Sequence, residues 1–141
     1  MTTPDAARAW SAMRTLVLEA HDRRGAVAER LQLSFIRAKA LLKLTGGPLT
    51  MRELAGRLVI DPPYTTVVID DLERRGLVLR AASPDDRRVK LVSLTGAGRE
   101  AAATAAAILD EPPAALSALP AGDLAALARI LTGLLPSESG G

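Results

Sequence analysis

A mainly α fold (α+β), with helices around one short hairpin, is what three observations on the sequence predict. Alanine, leucine and arginine are abundant and aromatic residues are almost absent (Trp10, Phe35 and Tyr64), a composition that favours helix. Apolar residues recur at helical spacing over most of the chain, with Gly and Pro punctuating the breaks. The pattern changes once, between Leu77 and Leu94, where two β-prone runs flank a charged loop. From Thr50 to Thr95 the order is helix, turn, helix, hairpin, which is the order of a winged helix-turn-helix.

Each element has a local reason. Thr3-Pro4-Asp5 starts a helix with a cap, a proline at the first position and an acid in the first turn. Trp10, Met13, Leu16, Val17 and Ala20 give it one apolar face, and it is expected to run to about Leu31 with Gly25 as a kink or break. Ser34 caps a second helix, from Phe35 to about Leu44. Its stripe is Phe35, Ala38, Leu41 and Leu42, with Arg37, Lys39 and Lys43 facing water, and Gly46-Gly47-Pro48 ends it. Thr50 and Glu53 form a capping box ahead of Leu54, Ala55 and Leu58. Asp61 caps the next helix, whose first-turn prolines cost no hydrogen bond. On it Thr65, Val68, Ile69 and Leu72 face the core. Tyr64, Thr66, Val67, Asp70, Asp71, Arg74 and Arg75 lie opposite, and Gly76 closes the helix. The runs Leu77–Arg80 and Val89–Leu94 pair across the loop 81–88. Thr95 caps an alanine-rich helix to about Asp110, Pro112-Pro113 breaks it, and a last helix at about 121–135 carries Leu124, Leu127, Ile130, Leu131 and Leu134.

Composition excludes several classes. Without cysteine there are no disulfides, thiolate metal sites or thiol sensors, and His21 alone makes no multi-histidine site. No apolar run reaches the ~20 residues of a membrane span, and the first residues lack a signal-peptide pattern, so the expectation is a cytoplasmic protein that meets no membrane. An enzyme would need a nucleophile with a base, a carboxylate cleft, a metal set or a phosphate loop, and none is legible. No catalytic residue, cofactor or metal is expected.

The net charge of +2 says little, but its distribution says more: residues 74–99 hold seven basic and two acidic side chains, whereas residues 51–73 hold two and five. The basic excess falls on the end of the second motif helix and on the hairpin, where a winged helix meets the backbone of double-stranded DNA. The expected DNA-facing residues of the helix are therefore Pro63, Tyr64, Thr65, Thr66 and Val67. The wing and backbone contacts are expected from Arg52, Arg57, Arg74, Arg80, Arg87, Arg88 and Lys90, with Asp86 of the wing orienting an arginine guanidinium and not touching DNA itself.

Three strings, LTMRELAGRL, DDLERRGLV and SPDDRRVKLVSLTGAG, resemble the MarR family of bacterial transcription regulators, over about residues 30–135. The last looks like that family's wing signature, an acid-rich turn with Asp86-x-Arg88, a strand, then Leu94-Thr95-x-x-Gly98. The resemblance implies one MarR-like domain over 1–141, with the winged head at 34–95 and a helical dimerisation region at 4–31 and 96–136. It implies a homodimer that presents two heads to a palindromic operator, usually as a repressor relieved by a phenolic or lipophilic ligand. A pocket for such an effector is expected at Trp10, Met13, Arg14, Val17 and Phe35. The chain departs from the family where Ser/Thr-Arg is usual: Val67 follows Thr66, no basic residue stands between Arg57 and Arg74, and Asp71 occupies a position that is often basic. The expected contacts are then of threonine methyls, Val67 and the Tyr64 ring with thymine methyls, with hydroxyls reaching phosphates or base edges, and specificity leans on the wing and on DNA shape. The competing expectation is a dimeric helical adaptor that binds no DNA.

Overall fold

The computed structural model describes residues 3–137, so the outermost residues of the expected 1–141 domain lie outside it. The chain divides into two units, one ending at Asp110 and one beginning at Glu111. The first holds α1 (Pro4–Thr15), a π-helical turn (Leu16–Ala20), α2 (Arg24–Leu31), α3 (Phe35–Lys43), a 3-10 turn (Leu44–Gly46) and β1 (Leu49–Thr50). It continues with α4 (Met51–Leu58), α5 (Pro62–Arg74), β2 (Val78–Ala82), β3 (Lys90–Leu94) and α6 (Gly96–Leu109). The second holds α7 (Ala114–Ser117) and α8 (Ala121–Leu134). Among the described residues no helix is long and apolar enough to cross a membrane.

The first helix breaks earlier than Gly25. Its hydrogen bonding widens to the π pattern after Thr15 and ends at His21, and the Asp22 carboxylate then accepts the Arg24 amide at 3.0 Å, which starts α2 afresh. Gly25 sits inside the first turn of α2. Strand β2 runs two residues further out than expected, to Ala82, whereas β3 begins at Lys90, one residue after the expected Val89. Val78 pairs with Leu94 and Ala82 with Lys90, and β3 also pairs with β1, a two-residue strand that periodicity is too short to reveal. Alternation along the pair puts Val78 and Val92 in the core and leaves Leu79 outside.

The core of this unit forms where α3, α4 and α5 meet the sheet. Leu41, Leu54, Ile69, Leu72, Val78 and Val92 are fully buried there, each burial contributing about 1.5–3 kcal/mol. Residues 24–31 and 96–109, expected in the dimerisation region, pack on α3: Val27, Ala38 and Ala105 make a second cluster flanked by Phe35 and Ile108. By contrast, α1 and α8 bury no residue. Trp10 is 67% exposed and Val17 65%, and Ile130 and Leu134 are exposed on α8.

Candidate nucleic-acid interface

Helix α5 is built to be held at both ends. At its start the Tyr64 amide donates to Asp61 Oδ1 (2.7 Å) and the Thr65 amide to the Asp61 carbonyl (3.0 Å). At its end Gly76 takes φ +76, and the amides of Gly76 and Leu77 donate to the carbonyls of Glu73 (3.0 Å) and Leu72 (2.9 Å). This paired closure needs a left-handed residue, which glycine supplies at little cost. The next segment locks onto that turn. The Thr95 hydroxyl donates to the Gly76 carbonyl (2.7 Å) and accepts the Gly98 amide (3.0 Å), while a Cβ on Gly98 would lie 2.0 Å from the Leu77 oxygen. The Leu-Thr-x-x-Gly string thus has a physical role: it anchors α6 against the turn from which the wing leaves.

With both ends held, α5 turns Pro63, Thr66, Val67, Asp70 and Arg74 outward at i, i+3 and i+4 spacing, and Tyr64 flanks them. Val67 is 53% exposed and Tyr64 42%. Thr65 corrects the expected set. It is 1% exposed, and its hydroxyl donates to the Asp61 carbonyl (2.9 Å), so it belongs to the core. Asp71 corrects the expected outer face. It is buried and receives Nε of Arg37 (2.8 Å), Nε of Arg75 (2.9 Å) and a short hydrogen bond from Arg74. Arg37 therefore points into the molecule, not to water, and its Nη1 also donates to Ser34 Oγ (2.9 Å). The Ser34 side chain makes no cap hydrogen bond. The guanidiniums hold the Asp71 carboxyl below its ordinary value, Arg75 contributing most, then Arg37 and Arg74.

Because that carboxyl titrates below 3.8, the stability it adds is complete above this pH and is lost as the pH falls through the depressed value. Asp71→Asn is expected to lower the melting temperature at pH 7, with a deficit that shrinks on acidification below about pH 4. Melting curves at pH 7 and pH 3 check this, and an equal deficit at both would show that the carboxylate is not the source of the effect.

The wing is joined to α5 by a second ion cluster. Arg80 Nη2 donates to Glu73 Oε1 (3.0 Å) and closely to Asp70, and the Arg80 amide donates to Glu73 Oε2 (3.2 Å). Arg80, expected on a phosphate, is thereby turned toward α5, where it steadies the root of β2. Its guanidinium also holds the Glu73 carboxyl below the ordinary range. At the tip, Asp86 organises Arg88: Oδ1 accepts the Arg88 amide (3.0 Å) and Nε (3.2 Å), and Oδ2 accepts Nη2 (3.3 Å). The Arg88 side chain is nonetheless 90% exposed, as are Arg87 and Lys90 in large part. Arg52 and Arg57 stand exposed on α4, and Arg74 stays largely exposed while it reaches Asp71.

The expected effector pocket is not closed by the single chain. Trp10, Met13, Arg14 and Val17 lie on α1 and its π turn, which bury nothing, whereas Phe35 packs beside Val27, Ala38 and Ala105. None of the five lines the open groove of about 780 Å³ between Leu42, Thr45, Pro48, Leu94, Arg99 and Ala103. Among the described residues no group of His, Cys, Asp or Glu is placed to hold a metal ion.

An N-capped helix projecting its outer stripe beside a hairpin with a basic tip defines a winged helix-turn-helix protein. The model of the MarR family matches residues 44–90, from the turn before β1 to the wing. An uncharacterized HTH-type transcriptional regulator of Bacillus subtilis, YkoM, is 38% identical over 63 residues, which are 43% of this chain and 41% of that protein. The match thus spans less than half of the curated relative's length. A solved structure of a probable transcriptional regulator from Pseudomonas aeruginosa is 30% identical, with 80% of this chain and 88% of the other covered and a TM-score of 0.57. Apo wild-type MarR from E. coli shares the fold over 96% of this chain and 99% of its own, with a TM-score of 0.70 at 21% identity. The chain belongs to the MarR family.

Proposed function

We propose that this protein is a cytoplasmic, non-enzymatic transcription regulator that binds double-stranded DNA as a homodimer on a palindromic operator and acts as a repressor. The observation that carries this reading is the joint presentation of two surfaces: the uncovered outer stripe of α5, and a wing tip whose exposed Arg88 is held by Asp86. Together they are a groove-reading helix and a backbone or minor-groove contact. Dimerisation is supported by α1 and α8, which carry apolar side chains and bury none. The names of the P. aeruginosa and B. subtilis relatives, both transcriptional regulators, support the same reading.

Release by a small phenolic or lipophilic anion belongs to the proposal. Trp10 and Arg14 stand one turn apart on uncovered α1, an aromatic ring and a cation that a second copy would enclose. One observation favours the competing adaptor reading: the α5 stripe carries Asp70 and offers no cation before Arg74. Mobility shift of operator DNA at low and moderate salt separates the two. The regulator gives a shift that persists for its operator at moderate salt and is reversed by millimolar salicylate with quenching of Trp10 fluorescence. Absence of any shift even at low salt would favour the adaptor. A shift that salicylate leaves intact, with Trp10 unquenched, would remove effector release alone.

A further inference from the structure

We propose that α5 reads its half-site through thymine 5-methyl groups, and that no guanine is recognised beneath Pro63, Thr66 and Val67. This rests on the reading of α5 as the major-groove helix and adds the base chemistry that such a helix can perform.

Hydrogen-bond donors are scarce on the first turns of α5. Guanine presents only acceptors, N7 and O6, in the major groove, so a reader needs a donor there. A helix N-terminus ordinarily offers unpaired amides. Here the first two helical positions are Pro62 and Pro63, which have no N–H. The next two amides, of Tyr64 and Thr65, are taken by the carboxylate and carbonyl of Asp61. The hydroxyls are engaged as well. Thr65 is buried on the Asp61 carbonyl, and the Thr66 hydroxyl donates to the Pro62 carbonyl at 3.2 Å. Thr66 therefore shows the groove its methyl group and oxygen lone pairs.

Val67, at the centre of the stripe, shows only methyls, and the Pro63 ring lies one turn before it. Asp70 can only accept, and it is already paired with Arg80. The first cation of the stripe, Arg74, is seven residues beyond Val67, about 10 Å along the axis. Of the groups that reach the groove first, the Tyr64 phenol at the flank is the remaining side-chain donor.

A surface of methyls and lone pairs matches one base pair well. Thymine offers its 5-methyl to Val67, Thr66 and Pro63, and the adenine opposite offers its N6 amino group to the Thr66 oxygen. Opposite guanine the same surface would bury N7 and O6 without partners. Affinity then comes from the exposed cations that lie off the stripe, Arg52, Arg57, Arg87, Arg88 and Lys90, by way of phosphates and the flanking groove.

The test uses the full-length protein and the operator that it selects from random DNA. Uracil replaces thymine one position at a time, which removes the 5-methyl and leaves the pairing edge unchanged. The expected result is a loss of about fourfold in affinity for each thymine under Val67 or Thr66 in a half-site, the burial of one methyl. Val67→Ala is expected to erase the thymine–uracil difference at its own position. Uracil throughout that binds as tightly as thymine would overturn the proposal while leaving DNA binding intact. A uracil effect that persists undiminished in Val67→Ala would assign it to DNA shape and overturn the proposal as well. Failure to bind any DNA would instead remove the regulator reading, and this inference with it.

Discussion

Trp10→Glu combined with Val17→Glu is expected to convert the protein from dimer to monomer or aggregate and to abolish operator binding. The two residues lie seven apart, on one face of α1 and the turn that continues it, and both stand mostly in solvent in the single chain. A helix of twelve residues that buries nothing has marginal stability of its own in water, so its order depends on a covering surface. Leu16 and Leu18 beside it, and Ile130, Leu134 and Leu135 in the second unit, are exposed in the same way. A second copy covering these faces would bury on the order of 2,000 Å² or more, the scale of an obligate dimer. Carboxylates placed at the centre of that contact would lose their water without gaining a partner. Light scattering gives the mass. Ile130→Glu with Leu134→Glu provides a second route to the same loss. If either double variant stays soluble, dimeric and competent for DNA, that helix lies outside the interface.

Arg88→Ala is expected to weaken operator binding roughly tenfold per half-site and to reduce the salt slope by about one for each phosphate that the guanidinium no longer neutralises. The side chain projects into solvent, yet it is oriented through three hydrogen bonds from Arg88 to one carboxylate. That arrangement makes Asp86→Ala the more telling variant. Removing a negative charge near DNA would help binding if charge alone counted. Here it frees the guanidinium and the turn that Asp86 shapes, so binding is expected to weaken. Fluorescence anisotropy across a salt series measures both. Tighter binding by Asp86→Ala together with unchanged binding by Arg88→Ala would reduce the wing to a solvated hairpin.

The features most legible in the sequence are those whose chemistry is local. The capping box of Thr50 and Glu53, the Asp61 cap, the left-handed Gly76 and the Thr95 cap all involve groups a few residues apart, and all form as expected. Long-range pairing is not legible. Charge alone puts Asp71 on the outer face, but Arg37, 34 residues earlier, draws it inward. Its position i+3 from Val68, with arginines at i+3 and i+4 beyond it, is the available hint. Arg80 reads as a phosphate ligand for the same reason, since nothing local shows that Glu73 and Asp70 face it across the α5–β2 turn. Spacing puts Thr65 on the core face while its neighbours suggest a DNA contact, and burial decides for the core. Glycine is the conspicuous breaker in the first helix, yet the break falls at His21, because the Asp22 side chain restarts the helix ahead of Gly25.

The central claim is a two-headed reader of DNA. It is tested most directly by sequencing the fragments that the purified protein retains from random genomic DNA at moderate salt. The expected result is an inverted repeat whose half-site centres lie about 10–10.5 base pairs apart, or a multiple of that, so that both α5 helices enter the major groove on one face of the duplex. Fragments without enrichment over the input, or a single asymmetric site bound by a monomer, would contradict it.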